Sequence, residues 1–148
     1  ESTVRAAVQL AQKKCPGVPL FAGGKSMGGR MTSQAQAKEP LPGVRALVFL
    51  GFPLHPAGAP AIARAAHLAD VQVPMLFLSG ERDKLAELQL LRPVVDKLGA
   101  RATLELIAEG DHGFDVPKRT GKTHEQILAG LAESMVRFAL RIHIDRTE

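Results

Sequence analysis

Four short apolar runs set far apart constrain this chain most: Val18 to Ala22, Val44 to Leu50, Val73 to Leu78, and Ala102 to Ile107. Each is followed by glycine or a turn and then by helix-like sequence, which is a βα repeat. The gaps hold a crossover helix and far exceed a hairpin loop, so neighbouring strands are expected to be parallel with helices on both faces. The expected architecture is α/β, a three-layer α/β/α sandwich on a mostly parallel sheet. The first three runs are nearly continuous in apolar residues, as strands buried on both faces are. The fourth alternates through Thr103, Leu104, Glu105 and Leu106, which predicts a partly wet strand at the sheet edge.

Helical patterns fill the gaps. Val4, Ala7, Val8 and Ala11 form a stripe behind Ser2 and Thr3 as cap candidates, ending before Pro16-Gly17. Thr123 and Gln126 have the spacing of a capping box, and Ile127, Leu131, Met135, Phe138 and Ile142 then follow one face of a long helix. Between Lys84 and Leu98 the pattern is helical but contains Pro93, so the helix is expected to start or kink there. The Ala-rich stretch from Ala59 to Ala69 also reads as helical.

The chain has 148 residues, 45% of them hydrophobic and 23% charged, which suits one globular domain and argues against disorder or coiled coil. No apolar run approaches the roughly 18 residues needed to span a bilayer. Net charge is +4, but the basic residues are scattered and there is no Trp or Tyr, so neither nucleic acid nor membrane is an expected partner. A lone Cys15 excludes an intrachain disulfide, which fits a reducing, cytoplasmic compartment, and its expected role is to pack near a helix end. The chain opens on Glu1 rather than Met, so translation is expected to begin upstream.

Chemistry concentrates where the first strand ends. Gly24-Lys25-Ser26-Met27-Gly28 satisfies G-x-S-x-G, flanked by Gly23 and Gly29. A nucleophile on a sharp strand-to-helix turn is held in strained dihedrals, and glycines around it remove the Cβ atoms that would clash. Two rival readings fail on spacing. A phosphate-binding P-loop needs glycine where Pro19 stands, or, for Gly121-Lys122-Thr123, where Val116 stands. An S-x-x-K acylase motif needs lysine where Gly29 stands.

A nucleophilic Ser26 requires a base and an orienting acid, in the chain order Ser, acid, His for this kind of turn. The third strand leads into Ser79-Gly80-Glu81-Arg82-Asp83 and the fourth into Gly110-Asp111-His112-Gly113-Phe114. Parallel strands put all these ends on one edge, so Ser26, Asp83 and His112 are expected to converge as a catalytic triad. Glu81 is the alternative acid, and Asp111 is expected to tie its loop through side-chain to backbone bonds. The Met27 N–H is the expected oxyanion donor. Lys25, Phe52 and His55 are candidates to line a substrate pocket at the same edge. His67, His124 and His143 read as surface or cap residues, and the scatter of histidines offers no metal spacing.

The segments GGKSMGGRM from Gly23, LGFPLHP from Leu50, SGERD from Ser79 and GDHGFDVPKR from Gly110 resemble the α/β-hydrolase superfamily. The resemblance is to its dienelactone-hydrolase-like branch, among bacterial relatives of the testis-expressed and histone-acetyltransferase-complex subunit group. It implies a triad at Ser26, Asp83 and His112, the Met27 amide in an oxyanion hole, and hydrolysis of a small-molecule ester or related acyl bond without a cofactor. Dienelactone hydrolases proper use Cys where this chain has Ser26, so that narrower activity is not implied. In such hydrolases several strands precede the nucleophile, and a loop after one of them gives the second oxyanion donor. Only one helix precedes Val18, so the chain is expected to be a single hydrolase domain lacking its N-terminal strands. Its first strand would then expose an edge through which copies could associate. A non-catalytic interaction module on a hydrolase scaffold is the alternative reading.

Overall fold

The computed structural model describes residues 1–144. Its elements run α1 (Ser2–Lys14), β1 (Leu20–Lys25), α2 (Met27–Lys38), β2 (Val44–Leu50), β3 (Met75–Gly80), α3 (Leu88–Leu98), β4 (Ala102–Ile107) and α4 (His124–Ile144), with short 3₁₀ turns between. The strands form one parallel sheet in the order β1-β2-β3-β4. Side chains alternate across it. Leu47, Phe49, Met75 and Phe77 enter a core shared with α1, α2 and α3, while Ala46, Leu76 and Leu78 pack against Ile127, Leu131, Phe138 and Ile142 of α4. Three layers result, as the βα repeat implies. No helix among the described residues is long and apolar enough to cross a membrane.

The two edges differ in kind. On β4 Glu105 reaches Arg137 of α4 at 3.2 Å, so the charged residue of its alternation is paired across the layer. On β1 apolar hollows of about 520 and 470 Å³ flank the strand on its two faces, lined in part by Val4 and Val8 on one side and Met135 and Val136 on the other. The expectation that β1 is buried on both faces therefore fails: Leu20, Phe21 and Ala22 are half-buried, because no strand among the described residues pairs with its outer edge.

Several local expectations shift. The strand begins at Leu20, not Val18, and runs through Gly23 and Gly24 to Lys25, pairing residue by residue with Val48, Phe49 and Leu50. Helix α1 is capped by Glu1 without a side-chain bond, so Ser2 and Thr3 lie inside it. The capping box forms as spaced: Thr123 N–H donates to Gln126 Oε1 at 2.9 Å, and Gln126 N–H to Thr123 Oγ1 at 3.2 Å. Of the two expectations for Pro93, a start there is excluded: it lies inside α3, which begins five residues earlier at Leu88. The Ala-rich stretch forms only a 3₁₀ helix, Ala63–Asp70. Cys15 caps the end of α1 and is exposed, so it does not pack in the interior.

Candidate active site

Ser26 joins β1 to α2 with φ 51 and ψ −121. A serine held there carries about 1–3 kcal/mol of strain, tolerated because both neighbours are anchored. Its N–H donates to Leu50 O of β2 at 2.9 Å, and its carbonyl accepts from Arg30 N–H in the first turn of α2 at 3.2 Å. The glycines permit the close approach: a Cβ on Gly29 would lie 2.7 Å from Gly24 O. The Met27 N–H stands at the first helical position of α2, where a helix offers its N–H groups no intrahelical acceptor.

The other two residues come from the ends of β3 and β4. Asp83 is buried, and both carboxylate oxygens are engaged: Oδ1 accepts from Leu85 N–H at 2.8 Å and Oδ2 lies 2.8 Å from His112 Nδ1. A carboxylate only accepts, so His112 Nδ1 carries the hydrogen and Nε2 is left to accept from Ser26 Oγ, 2.9 Å away. One continuous chain of hydrogen bonds thus runs from Asp83 through His112 to Ser26. The approach of the two loops depends on Gly80, where a Cβ would fall 2.3 Å from Gly110 O. Arg82 N–H donates to that same carbonyl at 2.8 Å, stitching the loops together.

The remaining candidates divide. Glu81 accepts from Glu109 N–H at 3.0 Å and makes no bond to His112. Asp111 Oδ1 accepts from Gly113 and Asp115 N–H at 2.8 and 3.0 Å, tying its own loop. Lys25 is exposed, with Nζ 5.9 Å from the centre of the Phe114 ring. Phe52 and His55 do not line an open pocket. Phe52 is buried edge-on against Phe49 and Phe77, with centroids 5.2 and 5.9 Å apart. His55 is sealed from solvent, Nε2 2.6 Å from Glu87 Oε2 and Nδ1 2.8 Å from Pro56 O. Phe52 is thus held by the aromatic core and His55 by two hydrogen bonds.

Of the other histidines, His124 pairs with Asp115 at 3.1 Å and His143 is exposed beside Arg45. His67 is half-buried, its Nε2 2.8 Å from Ser33 Oγ. Burial first, and then the Arg30 guanidinium, hold His67 below its ordinary value of 6.5, with Asp70 opposing. No group of three metal-ligating side chains occurs among the described residues. A hollow of about 600 Å³ lies between β4 and α4, with none of Ser26, Asp83 and His112 in its lining. Sequence reasoning missed Leu85, whose N–H orients the Asp83 carboxylate, and Gly80, whose missing Cβ admits the β4 loop. The Gly in Ser79-Gly80-Glu81 was the available signal for the second.

Solved structures share this fold. An alpha-beta serine hydrolase homologue from Coxiella burnetii matches with a TM-score of 0.66 at 16% identity, over 90% of this chain and 55% of that one. The esterase domain of a Rhodothermus marinus protein matches with a TM-score of 0.71 at 14% identity, over 94% and 68%. An a/b serine hydrolase without lid from Xanthomonas campestris matches with a TM-score of 0.56 at 22% identity, over 96% and 54%. The chain thus spans little more than half the length of the Coxiella and Xanthomonas proteins. At such identities the likeness carries the fold and not the reaction. The family described as alpha/beta hydrolase domain matches residues 1–140.

Proposed function

This chain belongs to the alpha/beta hydrolase family, and on that premise we propose that it is a serine hydrolase of carboxylesterase type, acting on an ester or related acyl bond. The observation that carries the reading is the hydrogen-bond chain from Asp83 through His112 to Ser26, at 2.8 and 2.9 Å. In the reaction Ser26 Oγ attacks the acyl carbon while His112 Nε2 takes the hydroxyl proton. The tetrahedral oxyanion is met by the Met27 N–H at the start of α2. His112 then returns the proton to the departing alkoxide, leaving an acyl-serine. Water attacks this intermediate in turn, with His112 again as base. Throughout, Asp83 fixes the imidazole tautomer and stabilises the imidazolium that forms.

The likeness of GGKSMGGRM and GDHGFDVPKR to the dienelactone-hydrolase-like branch supports the same reading and favours small acyl substrates. The exposed free thiol of Cys15 suits a reducing, cytoplasmic setting. Turnover of p-nitrophenyl acetate tests this reading against a non-catalytic interaction module on the same scaffold. The hydrolase reading expects measurable release of p-nitrophenol that Ser26→Ala eliminates, and release that persists in Ser26→Ala contradicts it.

A further inference from the structure

The turn that leads to His112 has a strained backbone, and a side chain from the neighbouring strand end holds it. Strand β4 ends at Ile107, and Gly110 N–H donates back to Ile107 O at 3.0 Å, so residues 107–110 form a tight turn. Glu109, the third residue of that turn, has φ 55. A turn of this kind ordinarily calls for Gly or Asn at its third residue, because other side chains are strained in the left-handed region. The N–H of the third residue takes no part in the turn's own hydrogen bond. In this chain it donates to Glu81 Oε2 at 3.0 Å.

The sheet puts Glu81 there. Gly80 and Ile107 are the last registered pair of β3 and β4, and the next N–H, that of Glu81, donates to Ile107 O at 3.1 Å. Arg82 N–H then takes Gly110 O, and the Asp83 carboxylate takes His112 Nδ1. Glu81, Arg82 and Asp83 thus meet Glu109, Gly110 and His112 in order, and of the three only Glu81 bonds to the residue with positive φ. Without its carboxylate the 108–109 peptide is free to turn over, which gives Glu109 an ordinary negative φ and points its N–H to the opposite side. A strained residue persists only where its surroundings over-determine it. Arg119 does not substitute for Glu81, since it pairs with the Glu109 carboxylate and leaves the backbone alone. Because Glu81 is exposed, the bond contributes little to keeping the chain folded. Its effect is on direction.

We propose that Glu81 is a positioning residue: by holding the Glu109 N–H it fixes the turn that presents His112 to Asp83 and Ser26. The consequence for catalysis rests on the hydrolase reading, whereas the tautomer of His112 reports the positioning without turnover. Reach and acceptor, not charge, are what the role requires. Gln at this position keeps the length and an acceptor oxygen but loses the charge, and Asp keeps the charge but is one methylene short.

The test measures p-nitrophenyl acetate hydrolysis in Glu81→Ala, Glu81→Asp and Glu81→Gln, together with the ¹H–¹⁵N ring correlations of His112, identified by their loss in His112→Ala. Glu81→Ala and Glu81→Asp are expected to lower kcat about tenfold or more with KM changed less than about twofold, while Glu81→Gln stays within about threefold of wild type. At a pH where the ring is neutral, wild type and Glu81→Gln carry the His112 proton on Nδ1, and the other two variants show mixed tautomers. Urea midpoints stay close to wild type in all three. Wild-type kcat in Glu81→Asp, a loss in Glu81→Gln as deep as in Glu81→Ala, or an unmixed Nδ1 tautomer in Glu81→Ala overturns the proposal and leaves the hydrolase reading intact. If the wild-type protein shows no turnover, the hydrolase reading fails and the spectra alone decide the positioning. If Glu81→Ala does not fold, Glu81→Asp against Glu81→Gln decides by the same two readouts.

Discussion

His112 and His55 each hold a carboxylate at nearly the same distance, 2.8 Å to Asp83 and 2.6 Å to Glu87, and both follow the C-terminal end of a strand. The difference is in the second ring nitrogen. In His112 it faces Ser26 on a strained turn and the side chain is 25% exposed. In His55 it meets the Pro56 carbonyl and the side chain is fully sealed. One pair leaves a nitrogen able to accept a proton from a nucleophile, and the other uses both nitrogens to hold two loops together. A histidine-carboxylate pair is thus reactive or architectural according to its third partner. His67 completes the series, with a serine partner and no carboxylate bonded to its ring.

The largest effects should separate the two pairs by activity. Asp83→Asn is expected to lower kcat on p-nitrophenyl acetate about 10³ to 10⁴-fold by releasing the imidazole tautomer. Glu87→Gln should change it by less than about tenfold, since Glu87 touches no reacting group; comparable losses in the two variants would erase the distinction drawn here. Stability should separate the pairs in the opposite sense. His55→Ala removes a sealed ring and strands the Pro56 carbonyl, for a loss of about 1–3 kcal/mol in urea unfolding. His112→Ala, at a partly open position, should cost clearly less in the same measurement.

The smallest effect concerns His67. Its folded-state proton affinity is lowered below the ordinary 6.5, so the unfolded chain binds the proton more tightly. The contribution is present above pH 6.5 and is lost as pH falls through the lower folded value. Urea midpoints taken downward from pH 7 should decline, and His67→Gln should flatten part of that slope. An identical slope in the variant would assign the acid sensitivity to other groups.

Much of this arrangement was legible in the residues, for reasons that particular elements make clear. Wide spacing of apolar runs forces crossovers, so the parallel sheet and its two helical layers follow from β2, β3 and the capped α4. Ser26, Asp83 and His112 could be named because strand ends and chain order restrict the choices to few residues. The burial of Phe52 and His55 could not be read from the sequence, because Leu54 and His55 N–H groups both bond to Leu85 O, a tertiary closure that leaves no local trace. Ala59 to Ala69 read as helical by composition, and the helix formed is a 3₁₀ helix over Ala63–Asp70 packed near α2, a form that propensity does not distinguish. Strand β1 illustrates the point from the other side, since its apolar residues anticipate burial that the described sheet does not provide.

The central claim is that Ser26 is activated by His112 and by no other histidine. A fluorophosphonate probe followed by peptide mass spectrometry tests it directly. The account predicts label on Ser26 that is lost in His112→Ala and retained in folded His55→Ala. Absence of label on wild-type Ser26, or label that persists undiminished in His112→Ala, would contradict it.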